Sequence, residues 1–89
     1  MISTQDKDII IECAKKYNPS VVYLFGSSID SSSDFNDIDI AVKGLKSSLF
    51  FKFYGELFKK LSKPVDLVDL SDNSLFNQLI QKRGIQIYG

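Results

Sequence analysis

Residues 37–39 read Asp-Ile-Asp, two carboxylates one residue apart inside an apolar run formed by Ile38, Ile40 and Val42. In a strand, residues i and i+2 point the same way, with Cβ atoms about 6.5–7 Å apart. Carboxylates so placed repel each other and resist burial, so Asp37 and Asp39 call for a neutralising cation or open water. They can converge on a pair of divalent cations about 3.5–4 Å apart. Hard oxygen ligands without nitrogen or sulfur favour Mg²⁺ or Mn²⁺ over zinc. Mg²⁺ usually takes one or two protein carboxylates and completes its shell with water and substrate phosphates. Within residues 65–70, Val-Asp-Leu-Val-Asp-Leu, Asp66 shares a face with Val68 and Leu70, and reaches the same site if that segment pairs with residues 37–42. Asp69 faces the other way and stands as the alternative.

Gly26-Ser27 adds a second kind of chemistry. A glycine at a strand end lets backbone approach a ligand closely, and a following helical turn offers free N–H groups to phosphate. Other candidates carry less. Asp30, Ser32, Asp34 and Asn36 alternate like the start of a calcium loop, but Phe35 stands where such a loop needs Gly and Ala41 where it needs Glu. Ser31-Ser32-Ser33 has no base positioned to activate it. The sequence contains no His, which closes histidine acid–base chemistry and His-ligated zinc to this chain.

The elements that must position these groups follow from periodicity. Residues 3–17 read as a helix, with Ser3 or Thr4 as cap, Asp6 and Asp8 in its first turn, and Ile9, Ile10, Cys13, Ala14 and Tyr17 at helical spacing. Residues 21–25 are β-branched and aromatic, a buried strand closed by Gly26. Residues 37–42 alternate, with Ile38, Ile40 and Val42 on one face and Asp37, Asp39 and Ala41 on the other. That alternation implies that the second face is open. A second helix covers residues 45–61, its apolar face built from Leu49, Phe50, Phe53, Tyr54, Leu57, Phe58 and Leu61. Pro64 opens a third strand over 65–70. A last helix starts at Asp72 or Ser74 and runs to about Lys82 with Leu75, Phe76, Leu79 and Ile80 apolar, Gly84 caps it, and residues 85–88 form a short final strand. The expectation is one α+β domain over 1–89, a small mixed sheet with helices packed on one face.

Composition is that of an ordinary soluble globule, 44% apolar and 25% charged, with 11 basic and 11 acidic residues. A zero net charge gives no support to nucleic-acid or membrane binding. Its distribution is uneven. Residues 26–42 hold four Asp and no Lys or Arg, whereas residues 43–63 hold six Lys against one Glu. The single Cys13 excludes an internal disulfide and fits a reducing compartment, and the start lacks the pattern of a signal peptide, so the expected location is cytoplasmic. Phe35 and Phe51 sit outside the apolar patterns and mark a possible partner surface.

Taken together, Gly26-Ser27, nine residues, Asp37-Ile38-Asp39 and a later strand-borne Asp66 resemble the minimal nucleotidyltransferases (MNT) of the DNA polymerase beta superfamily. The likeness extends over nearly the whole chain, including the closing Arg-Gly-Ile-Gln-Ile-Tyr segment. It implies that Gly26 and Ser27 hold the nucleotide phosphates, that Asp37 and Asp39 ligate two Mg²⁺ ions, and that Asp66 ligates the second metal and helps to activate an acceptor hydroxyl. It further implies in-line attack of that hydroxyl on the α-phosphorus of a nucleoside triphosphate, with pyrophosphate leaving. Members of this size are often antitoxins paired with a helical HEPN protein, some moving AMP from ATP onto a partner tyrosine. Many relatives carry an arginine shortly after Gly-Ser, where this chain has Ser28-Ile29-Asp30-Ser31. A catalytically weak binding module that acts by contact alone is therefore the rival expectation.

Overall fold

In the computed structural model, which describes residues 2–29 and 36–89, the chain order is helix, strand, strand, helix, strand, helix, strand. Helix α1 spans Thr4–Tyr17; Ser3 caps it, its hydroxyl accepting from the Asp6 N–H. Asn18 ends it in the left-handed region at φ 56°, a conformation Asn tolerates better than most residues. Strand β1 is Val21–Leu24, followed by a 3-10 turn over Gly26–Ile29. Strand β2 is Ile38–Lys43. The second helix starts later than its apolar pattern implies: Ser47–Leu49 forms a 3-10 turn, and α2 runs Phe50–Lys60. No side chain caps either start, so the first turn tightens to satisfy its own backbone. Strand β3 is Val65–Asp69, helix α3 Leu75–Arg83 and strand β4 Ile85–Tyr88. Ser74 caps α3, and Gly84 closes it with an extended backbone, its N–H bonded to the Ile80 carbonyl. The serine-rich segment 30–35, with Asp30, Asp34, Phe35 and most of the calcium-like pattern, lies outside the described residues.

The four strands form one mixed sheet in the order β3-β2-β1-β4. β1 is antiparallel to β2 and to β4, and β2 is parallel to β3. A parallel pair needs a crossover connection, which α2 supplies. Burial of Ile38, Ile40 and Val42 from β2, with Val22 and Leu24 from β1, sets one face of the sheet against Ile10, Cys13 and Ala14 of α1 and Phe53 and Leu57 of α2. Phe53 is fully buried and meets Tyr17 edge-on, ring centroids 5.8 Å apart.

The α+β class is as the sequence implies, a mixed sheet with its main core under two helices. The last helix goes elsewhere. Ile80 of α3 packs with Ala41 and Leu70, flanked by Tyr23, Phe25 and Val68, all from the face opposite the main core. The second face of β2 is thus partly covered by α3 rather than open. Only Ile80 of its apolar residues is buried; Leu75, Phe76 and Leu79 are exposed.

Two polar ties fasten α1 to α2 and to the turn that follows it. The buried Asp6 carboxylate accepts from the Ser62 N–H at 3.1 Å and from its hydroxyl. Glu56 accepts from Lys16 and from the Tyr17 hydroxyl at 2.9 Å, with Lys60 at 3.6 Å. Hydrogen bonds from Lys16 and Tyr17 lower the Glu56 pKa from 4.5 to about 2. A carboxyl depressed in the folded state adds stability above its unfolded pKa, and that contribution disappears as pH falls through the folded value. Denaturant titrations should therefore show the wild type losing stability between pH 4.5 and about 2 more steeply than Glu56→Gln, which lacks this proton uptake. Equal slopes for the two proteins would contradict the assignment.

Candidate nucleotidyl-transfer site at one end of the sheet

Because β2 and β3 are parallel and β1 runs against them, the starts of β2 and β3 and the exit of β1 lie at the same end of the sheet. Register sets the rest. Asp39 is the direct partner of Asp66, and Leu24, just before Phe25-Gly26, is the partner of Ile40 on one side and Ile85 on the other. Asp66, Asp39, the Gly26 turn and the Arg83-Gly84 entry into β4 thus form a row across four strands. Asp39 and Asp66 both lie on the face opposite the main core, which their buried neighbours Ile38 and Val65 occupy.

Gly26 closes this row tightly. Its φ is +61°, and a Cβ there would sit 2.5 Å from Asp39 Oδ2. A side chain would therefore meet both a strained backbone and the carboxylate itself. The Phe25 N–H donates to the Asp39 carbonyl at 3.1 Å, continuing the β1–β2 ladder to the edge of the turn.

Ser28 is the site residue that spacing did not single out. It is fully buried, and its Oγ accepts from the Asp39 N–H at 2.7 Å while lying 3.4 Å from the Asp39 carbonyl. One hydroxyl thus satisfies the backbone of the carboxylate-bearing residue and locks the 3-10 turn to β2. In the sequence it is one more serine in a polar loop, and only the buried hydroxyl marks it.

The structure brings some of the expected residues together and not others. Asp39 and Asp66 are adjacent. Asp37 lies just ahead of β2 and is exposed. Among the described residues no group of three or more His, Cys, Asp or Glu side chains converges tightly enough to hold a metal. Ser27 lies in the 3-10 turn, and its side chain is not among those described. Asp66 is in register with Asp39, whereas Asp69 pairs with Val42, three positions further along, and its carboxylate accepts from the Ser71 N–H at 2.9 Å in the following turn. No helix is long and apolar enough, among the described residues, to cross a membrane.

Parallel neighbours sit about 4.8 Å apart, and like charges placed side by side across two strands are destabilising. Two in-register carboxylates at a sheet end, beside a turn that opens with Gly26, make an acidic edge of the kind a hard cation carrying phosphate oxygens takes. One or two carboxylates are the number Mg²⁺ ordinarily takes from a protein.

Solved toxin–antitoxin structures match the fold closely: a chain crystallised as a toxin–antitoxin with AMP-PNP is 31% identical, with TM-score 0.76 over 93% of this chain and 73% of that one. A chain of the Shewanella oneidensis complex of tri-AMPylated HEPN toxin with MNT antitoxin is 30% identical, with TM-score 0.72 over 94% and 70%. A chain of an MntA-HepT toxin–antitoxin is 29% identical, with TM-score 0.72 over 98% and 73%. No curated protein sequence matches the chain.

The site makes two tests available in the isolated protein. Ser28→Ala should leave the Asp39 N–H buried without its acceptor and lower stability by about 1–3 kcal/mol, read as a shift in denaturant midpoint; no shift would mean that water or a neighbour replaces the hydroxyl. Gly26→Ala should also destabilise, because both its backbone and the Asp39 carboxylate must give way, and unchanged stability would contradict the close approach seen here. The sequence model of the polymerase beta nucleotidyltransferase family matches residues 7–89, and with the fold and the site geometry it establishes that this chain is a member of that family.

Proposed function

We propose that this nucleotidyltransferase domain moves AMP from ATP onto a hydroxyl of a helical HEPN-type partner protein, acting as the antitoxin of a toxin–antitoxin pair. The observation that carries the reading is the register pairing of Asp39 with Asp66 beside Gly26. Supporting it, one neighbour of the fold was solved with AMP-PNP and another is a complex containing an AMPylated HEPN toxin.

Asp39 and Asp66 would hold Mg²⁺, or Mn²⁺, with Asp37 approaching from the segment before β2, and two ions are the expected number. When bound, the metal lowers the pKa of an attacking hydroxyl and stabilises charge on the leaving oxygen. The chain's own contribution is placement. Gly26 keeps side-chain bulk out of the path of the phosphates, the 3-10 turn with Ser27 presents backbone N–H groups to them, and Ser28 fixes the Asp39 backbone so that its carboxylate stays at the edge. The acceptor oxygen attacks the α-phosphorus and loses its proton, the α–β bridging P–O bond breaks, and pyrophosphate departs. In this reading the acceptor hydroxyl is brought to the sheet end by the partner protein.

Two observations favour a contact-only reading as the alternative: residues 26–42 contain no Lys or Arg, and the described residues contain no three-ligand cluster. One experiment separates the two. With α-labelled ATP and the partner, wild type should label the partner, and Asp39→Asn should lower the rate by roughly 10²–10³-fold, the scale of losing a group that stabilises transition-state charge. Partner neutralisation should fall with it. Neutralisation that survives Asp39→Asn without any labelling would assign the protein to the contact-only class.

A further inference from the structure

Beside the row of site residues lies a cleft of about 180 Å³ that reaches Gly26 and is walled by Phe25, Ile29, Phe76, Leu79, Ile80 and Arg83. Its walls are apolar except for Arg83, the only arginine in the chain. Phe76 meets Phe25 edge-on, ring centroids 6.1 Å apart, yet remains 55% exposed, and Leu79 is 48% exposed. Two apolar residues of a short helix thus stay open to water although Ile80 beside them is buried. Among the described residues Arg83 makes no ion pair, so its guanidinium is not committed to a structural role.

The chemistry of that wall is specific. Apolar side chains, an aromatic ring and a planar guanidinium together suit a flat, aromatic, hydrogen-bonding heterocycle, because both a ring and an Arg fork stack on π faces. The volume is below that of a pocket for a whole drug-sized ligand and suits one ring system. Its position is what selects the occupant: the cleft opens directly onto Gly26, where the phosphates run in the reading above. We propose that this cleft between the Gly26 turn and α3 is the base-binding subsite for the nucleoside triphosphate, with Phe76 as the stacking platform and Arg83 flanking the ring. It rests on the nucleotidyl-transfer reading and adds to it a residue set for which neither the Asp pair nor the Gly-Ser turn accounts.

The test compares two probes, Mg²⁺-AMP-PNP and Mg²⁺-tripolyphosphate, which share the phosphate chain but not the base. Calorimetric titration of wild type, Phe76→Ala, Leu79→Asn and Asp39→Asn is expected to give three results. Wild type binds AMP-PNP more tightly than tripolyphosphate. Phe76→Ala weakens AMP-PNP by about 5- to 150-fold, the scale of one base–aromatic stack, and leaves tripolyphosphate unchanged, with Leu79→Asn changing in the same direction. Asp39→Asn weakens both. Because Phe76 and Leu79 are exposed, both substitutions leave the core intact, and melting curves check this. AMP-PNP binding that depends on Asp39 but not on Phe76 or Leu79 would overturn the base subsite while sparing the transfer reading. Equal affinity of wild type for the two probes would do the same. Binding of neither probe would overturn both.

Discussion

Everything at the site depends on how β2 is held. Its alternation puts Ile38, Ile40 and Val42 into the main core, and burying those three side chains fixes which face Asp39 must take. A slip of one residue would exchange the faces, driving Asp39 into the apolar interior and Ile38 or Ile40 into water. The same strand is central in pairing, bonded to β1 on one side and β3 on the other, so its register also decides which residues stand beside Asp39. Core packing beneath α1 and α2 therefore aligns Asp39 with Asp66 and brings Gly26 against the carboxylate.

The arrangement explains how a small domain can tolerate adjacent carboxylates. Neither is forced into the core, since Asp66 is exposed and Asp39 only half-buried. The backbone around Asp39 is nonetheless rigidly held by the Ser28 hydroxyl and by the Phe25 N–H. On the opposite side of the sheet, Glu56 and Asp6 have the reverse arrangement: each carboxylate is satisfied by named donors from a neighbouring element, and each serves to fasten helices. Asp6 and Glu56 thus serve the packing of the helices, whereas Asp39 and Asp66 stand in register at the sheet end.

Much of this was legible in the sequence because it depends on local pattern. The Asp-Ile-Asp alternation reveals both the strand and the face of its carboxylates, and the short Gly-Ser stretch at the end of an apolar strand marks the turn. Three features were not. The register that places Asp66 rather than Asp69 beside Asp39 is a long-range pairing, visible in one dimension only as an if. Ser28 is chemically indistinguishable from its neighbours until its burial is known. The position of α3 on the far face was hidden because Leu75, Phe76, Leu79 and Ile80 look like any core-facing stripe, although only Ile80 is buried. Phe58 misleads in the same way, sitting at an apolar position of α2 yet exposed, whereas Phe51, outside the pattern, is exposed as its spacing implies.

The central claim is that Asp39 and Asp66 act as one cation-holding pair at the mouth of a nucleotide site. Paramagnetic resonance of Mn²⁺ titrated into the protein with AMP-PNP tests it without a partner and without turnover. The account predicts Mn²⁺ binding that requires the nucleotide and is lost in Asp39→Asn and in Asp66→Asn alike, with both variants still folded. Nucleotide-dependent Mn²⁺ binding that persists undiminished in either variant would contradict it.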